Sequence, residues 1–243
     1  MYMKRAVVIG ASSGIGREAA RLLLADGWHV GVAARRIELL SGLEDEFPGR
    51  VVVSRIDVTA DDAPKRMLRL FDRLGGVGLF FYVSGVGWQN PMLDERTERA
   101  TVATNVRGFT QMIDAAFNFM AARQGGQIAV ISSIAGTKGL GAAPSYSASK
   151  AFQAKYIEAL EQLSRMRRLN IRFTDLRPGF VDTALLGDGR KYPMLMSAAD
   201  VARHAVDAIY ARKGVRVIDW RYRVMTFFWR LIPRWLWVRM RVV

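Results

Sequence analysis

The 243-residue chain has no cysteine, two histidines and seven prolines. Without cysteine it builds neither a disulfide scaffold nor a thiolate metal site. His29 and His204 are too few for a multi-histidine metal centre, so no metal is expected, and a Ser-His-Asp hydrolase would have to use one of them. Acids are also scarce. The 22 Asp+Glu face 36 Lys+Arg, leaving a formal charge of +14. Such an excess points to nucleic acid, an anionic membrane or a phosphate-bearing ligand. Long apolar runs are missing too. The longest uncharged stretch near the C-terminus, Val224–Trp229, falls far short of the roughly 18–20 residues that span a bilayer. The start, Met1–Gly10, lacks a long apolar core and a cleavage site, so no signal peptide is expected.

What the chain does have is 51% hydrophobic residues and 22 glycines, a composition that fills a real core. Short apolar runs alternate with helix-length stretches. The runs are Arg5–Ile9, His29–Ala33, Val51–Ile56, Val77–Val83, Gln127–Ile131, Ile171–Leu176 and Val215–Ile218. Helices are expected over Ile15–Asp26, Ala63–Leu74, Ala100–Arg123, Tyr146–Leu169 and Ala198–Arg212. Continuously apolar strands are buried on both faces, which implies a parallel sheet covered by helices. The expected fold is therefore α/β, a doubly wound Rossmann-type parallel sheet of about seven strands with helices on both faces. Residues 1–218 form the expected domain, and 219–243 a helical C-terminal extension.

The first strand runs into Gly10-Ala11-Ser12-Ser13-Gly14-Ile15-Gly16 and then a helix. Glycines let this turn approach a pyrophosphate, and the helix N-terminus offers free N–H groups and a positive dipole end. After strand two, NAD-binding sites place an acid for the ribose 2′-OH. Here Arg35 and Arg36 follow Ala34. Their guanidiniums match a 2′-phosphate, so NADP(H) is the preferred cofactor and NAD(H) the second choice. The plainer reading is a solvated basic start to the next helix.

Tyr146 and Lys150 stand four apart in a helical stretch and so share one face. An ammonium about 4 Å from a phenol is worth about 4 kcal/mol, enough to lower its pKa by up to about 3. That expectation makes Tyr146 a proton donor and acceptor near neutral pH.

Ser133 lies thirteen residues before Tyr146, past an apolar strand, and Asn105 lies in Thr104-Asn105-Val106-Arg107-Gly108. With the glycine turn, Asp57-Val58, the Tyr146/Lys150 pair and Pro178-Gly179-Phe180-Val181-Asp182-Thr183, the chain resembles the short-chain dehydrogenase/reductase superfamily over residues 4–218. The resemblance implies roles. Tyr146 is the general acid in carbonyl reduction and the base in alcohol oxidation. Lys150 lowers its pKa and bonds the nicotinamide ribose. Ser133, rather than its neighbour Ser132, hydrogen-bonds the substrate oxygen. Asn105 holds a water that links Lys150 to solvent. Asp57 and Val58 flank the adenine, Val181 and Thr183 contact the nicotinamide end, and Ser84, Gly85, Pro178 and Gly179 complete the cofactor contacts. Two positions depart from the family: Ile9 where Thr is usual, and Tyr82-Val83-Ser84-Gly85 where Asn-Asn-Ala-Gly is usual. Apolar packing between strands one and four is expected in place of a polar link.

On the substrate side, residues 184–196 correspond to the family's lid. Leu185, Leu186, Met194, Leu195 and Met196 are its apolar members, with Phe180, Gly87, Trp88 and Leu140 as further candidates for the pocket wall. Such residues fit an apolar substrate or pack on the core.

The charge is unevenly placed. Residues 215–243 hold seven Arg against one acid, Asp219, and four of the six Trp. A helix over Arg221–Arg241 would align Arg223, Arg230, Arg234 and Arg241, with Pro233 breaking or kinking it. An arginine stripe opposite Trp, Phe and Leu suits an in-plane membrane helix, to which anionic lipid adds about 1 kcal/mol per basic residue. The alternative is aromatics packed on the same chain or on a neighbouring subunit. Nucleic acid is not expected. The expected protein is a cytoplasmic, peripherally membrane-associated NADPH-dependent ketone reductase for an apolar or lipid-like substrate, working as a homo-dimer or tetramer. The rival is a dinucleotide-binding sensor or membrane-surface scaffold without turnover.

Overall fold

Successive residues of the central apolar runs face opposite cores. Ala6 and Val8 of β1 (Arg5–Ile9) enter one core, and Val7 and Ile9 enter the other. This double burial holds for β2 (His29–Ala34), β4 (Leu79–Tyr82) and β5 (Gly126–Ile131) as well. The remaining strands are β3 (Val51–Arg55), β6 (Ile171–Arg177), the two-residue pair β7 (Val181–Asp182) and β8 (Met196–Ser197), and β9 (Val215–Val217). The computed structural model describes residues 4–183, 186 and 192–242.

Seven strands form one parallel sheet, as the sequence led us to expect, and their order is β3-β2-β1-β4-β5-β6-β9. β7 and β8 make a separate small pair that the sequence did not signal. The helices are α1 (Gly14–Ala25), α2 (Ser41–Glu46), α3 (Ala63–Arg73), α4 (Glu95–Val102), α5 (Phe109–Ala121), α6 (Pro144–Met166), α7 (Ala198–Tyr210), α8 (Trp220–Leu231) and α9 (Arg234–Trp237). α1 and α7 cover one face of the sheet, and α3, α5 and α6 the other. From β1 the chain winds out to β3 and then returns to β4 on the far side of β1. That reversal opens a crevice at the carboxyl ends of β1 and β4.

Two helical expectations change. The stretch Ala100–Arg123 is not one helix. It starts earlier, because the Asp94 side chain accepts from the Thr97 N–H at 2.9 Å and caps α4, and a wide π turn over Ala103–Gly108 separates α4 from α5. The C-terminal stretch is two helices, with Pro233 in extended conformation between them.

Candidate active site

The cofactor end of the crevice grows out of β1. Gly10 has φ +93°, and its N–H and that of Ala11 donate to the Ala33 carbonyl at 2.8 and 3.2 Å. A side chain at Gly10 would meet the Ser84 nitrogen at 2.8 Å, and one at Gly16 would meet the Gly10 carbonyl oxygen at 2.3 Å. The glycines therefore let α1 and β4 close on the turn. Ser13 stands extended at the N-cap without a side-chain cap bond, and the first turn of α1 carries no acid. Arg35 and Arg36 are exposed just past β2. Asp57 accepts from the Thr59 N–H and hydroxyl at 3.0 and 2.8 Å. Burial pushes its carboxyl up, but those bonds and the charge of Arg35 together hold it below the usual range.

The other end brings four predicted residues together. Ser133, at the end of β5, accepts from the Ala135 N–H at 3.1 Å and hydrogen-bonds the Tyr146 phenol. Its neighbour Ser132 points away, donating to the buried Asp175 carboxylate, which also holds Arg177. Tyr146 lies in the first turn of α6, and Lys150 one turn on, with Nζ 5.8 Å from the phenol ring centre. Lys150 donates to the Ile131 carbonyl at 3.1 Å and to Gln153 Oε1 at 3.0 Å, and Gln153 Nε2 donates to the Asn105 carbonyl at 2.9 Å. The Asn105 side chain accepts from the Val86 N–H and donates to the Val86 carbonyl and Ser149 Oγ. The π turn is what carries Asn105 to this depth.

One electrostatic expectation is overturned. The Tyr146 phenol is not lowered in the free protein. Burial pushes it above its ordinary value, and the bond from Ser133 offsets this only in part. Lys150 Nζ is 5.8 Å from the phenol ring centre, and its own bonds go to Ile131 and Gln153 rather than to the phenol oxygen. Burial pushes the Lys150 ammonium down to about 8, against the pull of Asp175.

A cleft of about 820 Å³ joins the two ends. Ser133, Tyr146 and Lys150 line it, with Gly10, Ser12, Ser13, Gly14, Ile15, Arg35, Arg36, Asp57, Val58, Ser84, Gly85, Pro178, Gly179, Val181 and Thr183. Gly16 is buried behind the turn, and Asn105 behind Lys150, so neither is on that wall. A glycine cradle at a helix N-terminus, two exposed guanidiniums and a tyrosine–lysine pair at the far end fit a nicotinamide dinucleotide.

A model of the short chain dehydrogenase family matches residues 4–192. The chain belongs to the short-chain dehydrogenases. An oxidoreductase of Myxococcus xanthus is 32% identical over 240 residues, covering 96% of this chain and 94% of its own. The human 3-oxoacyl-[acyl-carrier-protein] reductase is 30% identical, covering 76% of this chain and 78% of its own. Among solved structures, a short-chain alcohol dehydrogenase from Sinorhizobium meliloti superposes with a TM-score of 0.81 at 27% identity, covering 92% of this chain and 98% of its own. This dehydrogenase is an NAD(P)-dependent oxidoreductase.

The departures from the family fall where apolar packing was expected. Ile9 and Tyr82 are register neighbours on β1 and β4, both buried in the same core, and Tyr82 meets Phe109 edge-on at 5.3 Å. On the substrate side of the dehydrogenase, Gly87, Trp88, Leu140, Phe180, Leu186 and Met194 line the cleft. Leu195 and Met196 do not: Leu195 is exposed, and Met196 is buried in the core. Leu185 lies outside the described residues, as do the rest of 184–191 apart from Leu186.

Sequence reasoning missed two groups. Gln153 sits three residues after Lys150 on the same helix face, a spacing that could have flagged it. The second group comes from α8, where Tyr222, Met225 and Trp229 line the cleft. The Tyr222 hydroxyl accepts from the Phe180 N–H at 3.1 Å and faces the Pro193 and Met194 carbonyls at 3.0 and 3.1 Å. It ties Phe180 to Pro193 and Met194, across the chain between them. Part of the C-terminal segment thus packs on its own chain.

Proposed function

We propose that this dehydrogenase reduces an apolar, lipid-like ketone with NADPH, and that it works in the cytoplasm at a membrane surface. The observation that carries the reading is the cleft itself, with paired guanidiniums at one end and Ser133, Tyr146 and Lys150 at the other. NADPH, when bound in the cleft, would supply the hydride that reduces the carbonyl carbon. The Arg35 and Arg36 guanidiniums would match its 2′-phosphate, and the first turn of α1 its pyrophosphate. Tyr146 gives its phenolic proton to the carbonyl oxygen, which completes the alcohol. Ser133 donates a hydrogen bond to the same oxygen as negative charge grows there. Lys150, ammonium-bearing at pH 7, stabilises the phenolate that Tyr146 becomes and passes it a proton that solvent in the cleft then replaces. Gln153 and Asn105 hold Lys150 in place from behind.

The substrate class follows from the walls. Trp88, Leu140, Phe180, Met194, Met225 and Trp229 offer apolar surface, while polarity concentrates at the reacting end. The human relative is named for reduction of 3-oxoacyl chains, a ketone on an apolar tail.

The test is nicotinamide absorbance during turnover with long-chain 3-oxoacyl thioesters and other apolar ketones. Tyr146→Phe should lower kcat by about 10²–10⁴-fold, the usual contribution of a positioned acid. Unchanged turnover in that variant would end the mechanism. NADPH should bind more tightly than NADH, and Arg35→Ala/Arg36→Ala should erase the difference. Equal affinities in the wild type refute the cofactor assignment.

A further inference from the structure

α8 is amphipathic in an unusual sense. Its inner side, Tyr222, Met225, Thr226 and Trp229, packs on the domain and forms part of the cleft wall. Its outer side is also apolar. Trp220, Val224, Phe227, Phe228 and Leu231 are 45–68% exposed and fall within one face at 3.6 residues per turn. Trp235 and Val238, about 60% exposed, continue the apolar surface beyond Pro233. Arginines flank this face. Arg223 and Arg230, seven apart, border one edge, Arg221 borders the other, and Arg234 opens α9. The whole is fixed to the domain. Lys138 donates to the Ile232 carbonyl at 2.8 Å, Trp237 Nε1 donates to the Gly139 carbonyl at 2.8 Å, and Trp229 meets Trp237 edge-on at 5.3 Å.

We propose that this outer face lies on an anionic lipid bilayer, and that α8 is the wall between the bilayer and the active-site cleft. Large solvent-facing aromatics and leucine on one helix face form a contact surface. The arginine border selects its partner. In a two-fold pairing the same patch meets itself, so the arginine borders of two copies would oppose each other. Asp219, the segment's only acid, is already paired with Arg221 and cannot relieve that repulsion. Anionic headgroups complement the arginines while the aromatics enter the acyl boundary. Met225 and Trp229 are on the opposite side of the same helix, so docking brings the apolar cleft up to the lipid that would hold a lipid-like ketone. The docking deepens the membrane-surface reading proposed above, and the last point rests in addition on the substrate class.

The experiment is flotation of full-length protein with phosphatidylcholine vesicles, with and without about one third phosphatidylglycerol. Wild type should float with the anionic vesicles and stay behind with the neutral ones. Phe227→Ser/Phe228→Ser/Leu231→Ser, all at exposed positions, should lose at least tenfold in vesicle affinity while keeping its NADPH affinity. Arg223→Gln/Arg230→Gln/Arg234→Gln should weaken binding several-fold and remove its salt dependence. In wild type, brominated lipid should quench tryptophan fluorescence, and Trp220→Phe/Trp235→Phe should lose most of that quenching. Three results overturn the proposal: no flotation of wild type with anionic vesicles, a serine variant that floats as well as wild type, or a wild-type dimer that the serine substitutions dissociate. None of these readouts needs turnover. Flotation without ketone reduction would therefore count against the proposed reaction alone.

Discussion

Lys150 sets up a pH dependence of stability whose sign and size follow from its surroundings. Lys150 is 4% exposed, and burial holds its ammonium near 8 rather than the ordinary 10.5. Below pH 8 the lysine is charged in both folded and unfolded chains, and the folded state bears the full cost of burying that charge, about 3 kcal/mol. Between pH 8 and 10.5 the folded chain has lost this proton while the unfolded chain still holds it. The unfolded state then binds more protons, so stability rises with pH. From pH 7 to 9.5 the rise is about 2 kcal/mol. Above pH 10 the trend reverses. Tyr146 and Tyr222 are held above their ordinary value by burial, so the unfolded chain ionises them first and gains stability. The clean window therefore closes near pH 9.5.

Lys150→Met isolates this contribution. Methionine keeps most of the side-chain volume but leaves the Ile131 carbonyl and Gln153 Oε1 without their donor. That loss is the same at both pH values and cancels when each protein is compared with itself. The assay is urea unfolding followed by tryptophan fluorescence at pH 7 and 9.5. Wild type should gain about 2 kcal/mol more than the variant over this interval, with unchanged denaturant slopes. If both proteins respond equally to pH, Lys150 is not the buried titrating group described here.

Gln153→Leu removes one of the two bonds that favour the charged Lys150, worth about 1.5–3 kcal/mol. The kcat profile should then shift to lower pH by roughly one to two pH units with NADPH affinity intact, and a stationary profile would contradict a positioning role. Ser133→Ala should lower kcat by about 10–10³-fold, and it also costs about 1–3 kcal/mol of stability because the Ala135 N–H loses its acceptor. Ser132→Ala should lose about 1–2 kcal/mol of stability through its bond to Asp175 but keep kcat; interchanged effects on kcat would mean that the wrong serine faces the substrate. Tyr222→Phe leaves the Phe180 N–H without its acceptor, at about 1–3 kcal/mol. The ketone KM should rise while NADPH affinity holds, and an unchanged KM would remove Tyr222 from the substrate side.

The sheet was legible because a parallel strand buried on both faces leaves an unbroken apolar run, as in Ala6-Val7-Val8-Ile9. The glycine turn was legible because close backbone approach excludes side chains, and the spacing of Ser133, Tyr146 and Lys150 survives intact in three dimensions. The start of α4 was hidden because a cap depends on one hydrogen bond from Thr97 to Asp94. The π turn was hidden because one extra residue in a helix leaves little trace in apolar periodicity. Composition could not separate Met194, which lines the cleft, from Met196, which fills the core two residues later. Nor could it divide the C-terminal aromatics, since Tyr222 and Phe227 differ in which side of α8 they occupy rather than in chemistry.

The reversed shift of Tyr146 bears on the direction of the reaction. A pair at i and i+4 suggests a phenol made acidic by its lysine, equally ready to give or take a proton. The folded chain adds burial, which opposes charge on both groups at once: the phenol rises and the ammonium falls. At neutral pH the resting site therefore holds a protonated phenol beside a mostly protonated lysine. That is the starting form for protonating a carbonyl oxygen. Alcohol oxidation would have to begin from a phenolate that burial disfavours and that Ser133 and Lys150 support. Raising the pH lowers the cost of removing the phenolic proton, so oxidation should gain more from alkaline conditions than reduction does. Measuring both directions from pH 6 to 9.5 tests this, and parallel profiles would show that the phenol's burial does not set the protonation state from which the enzyme works.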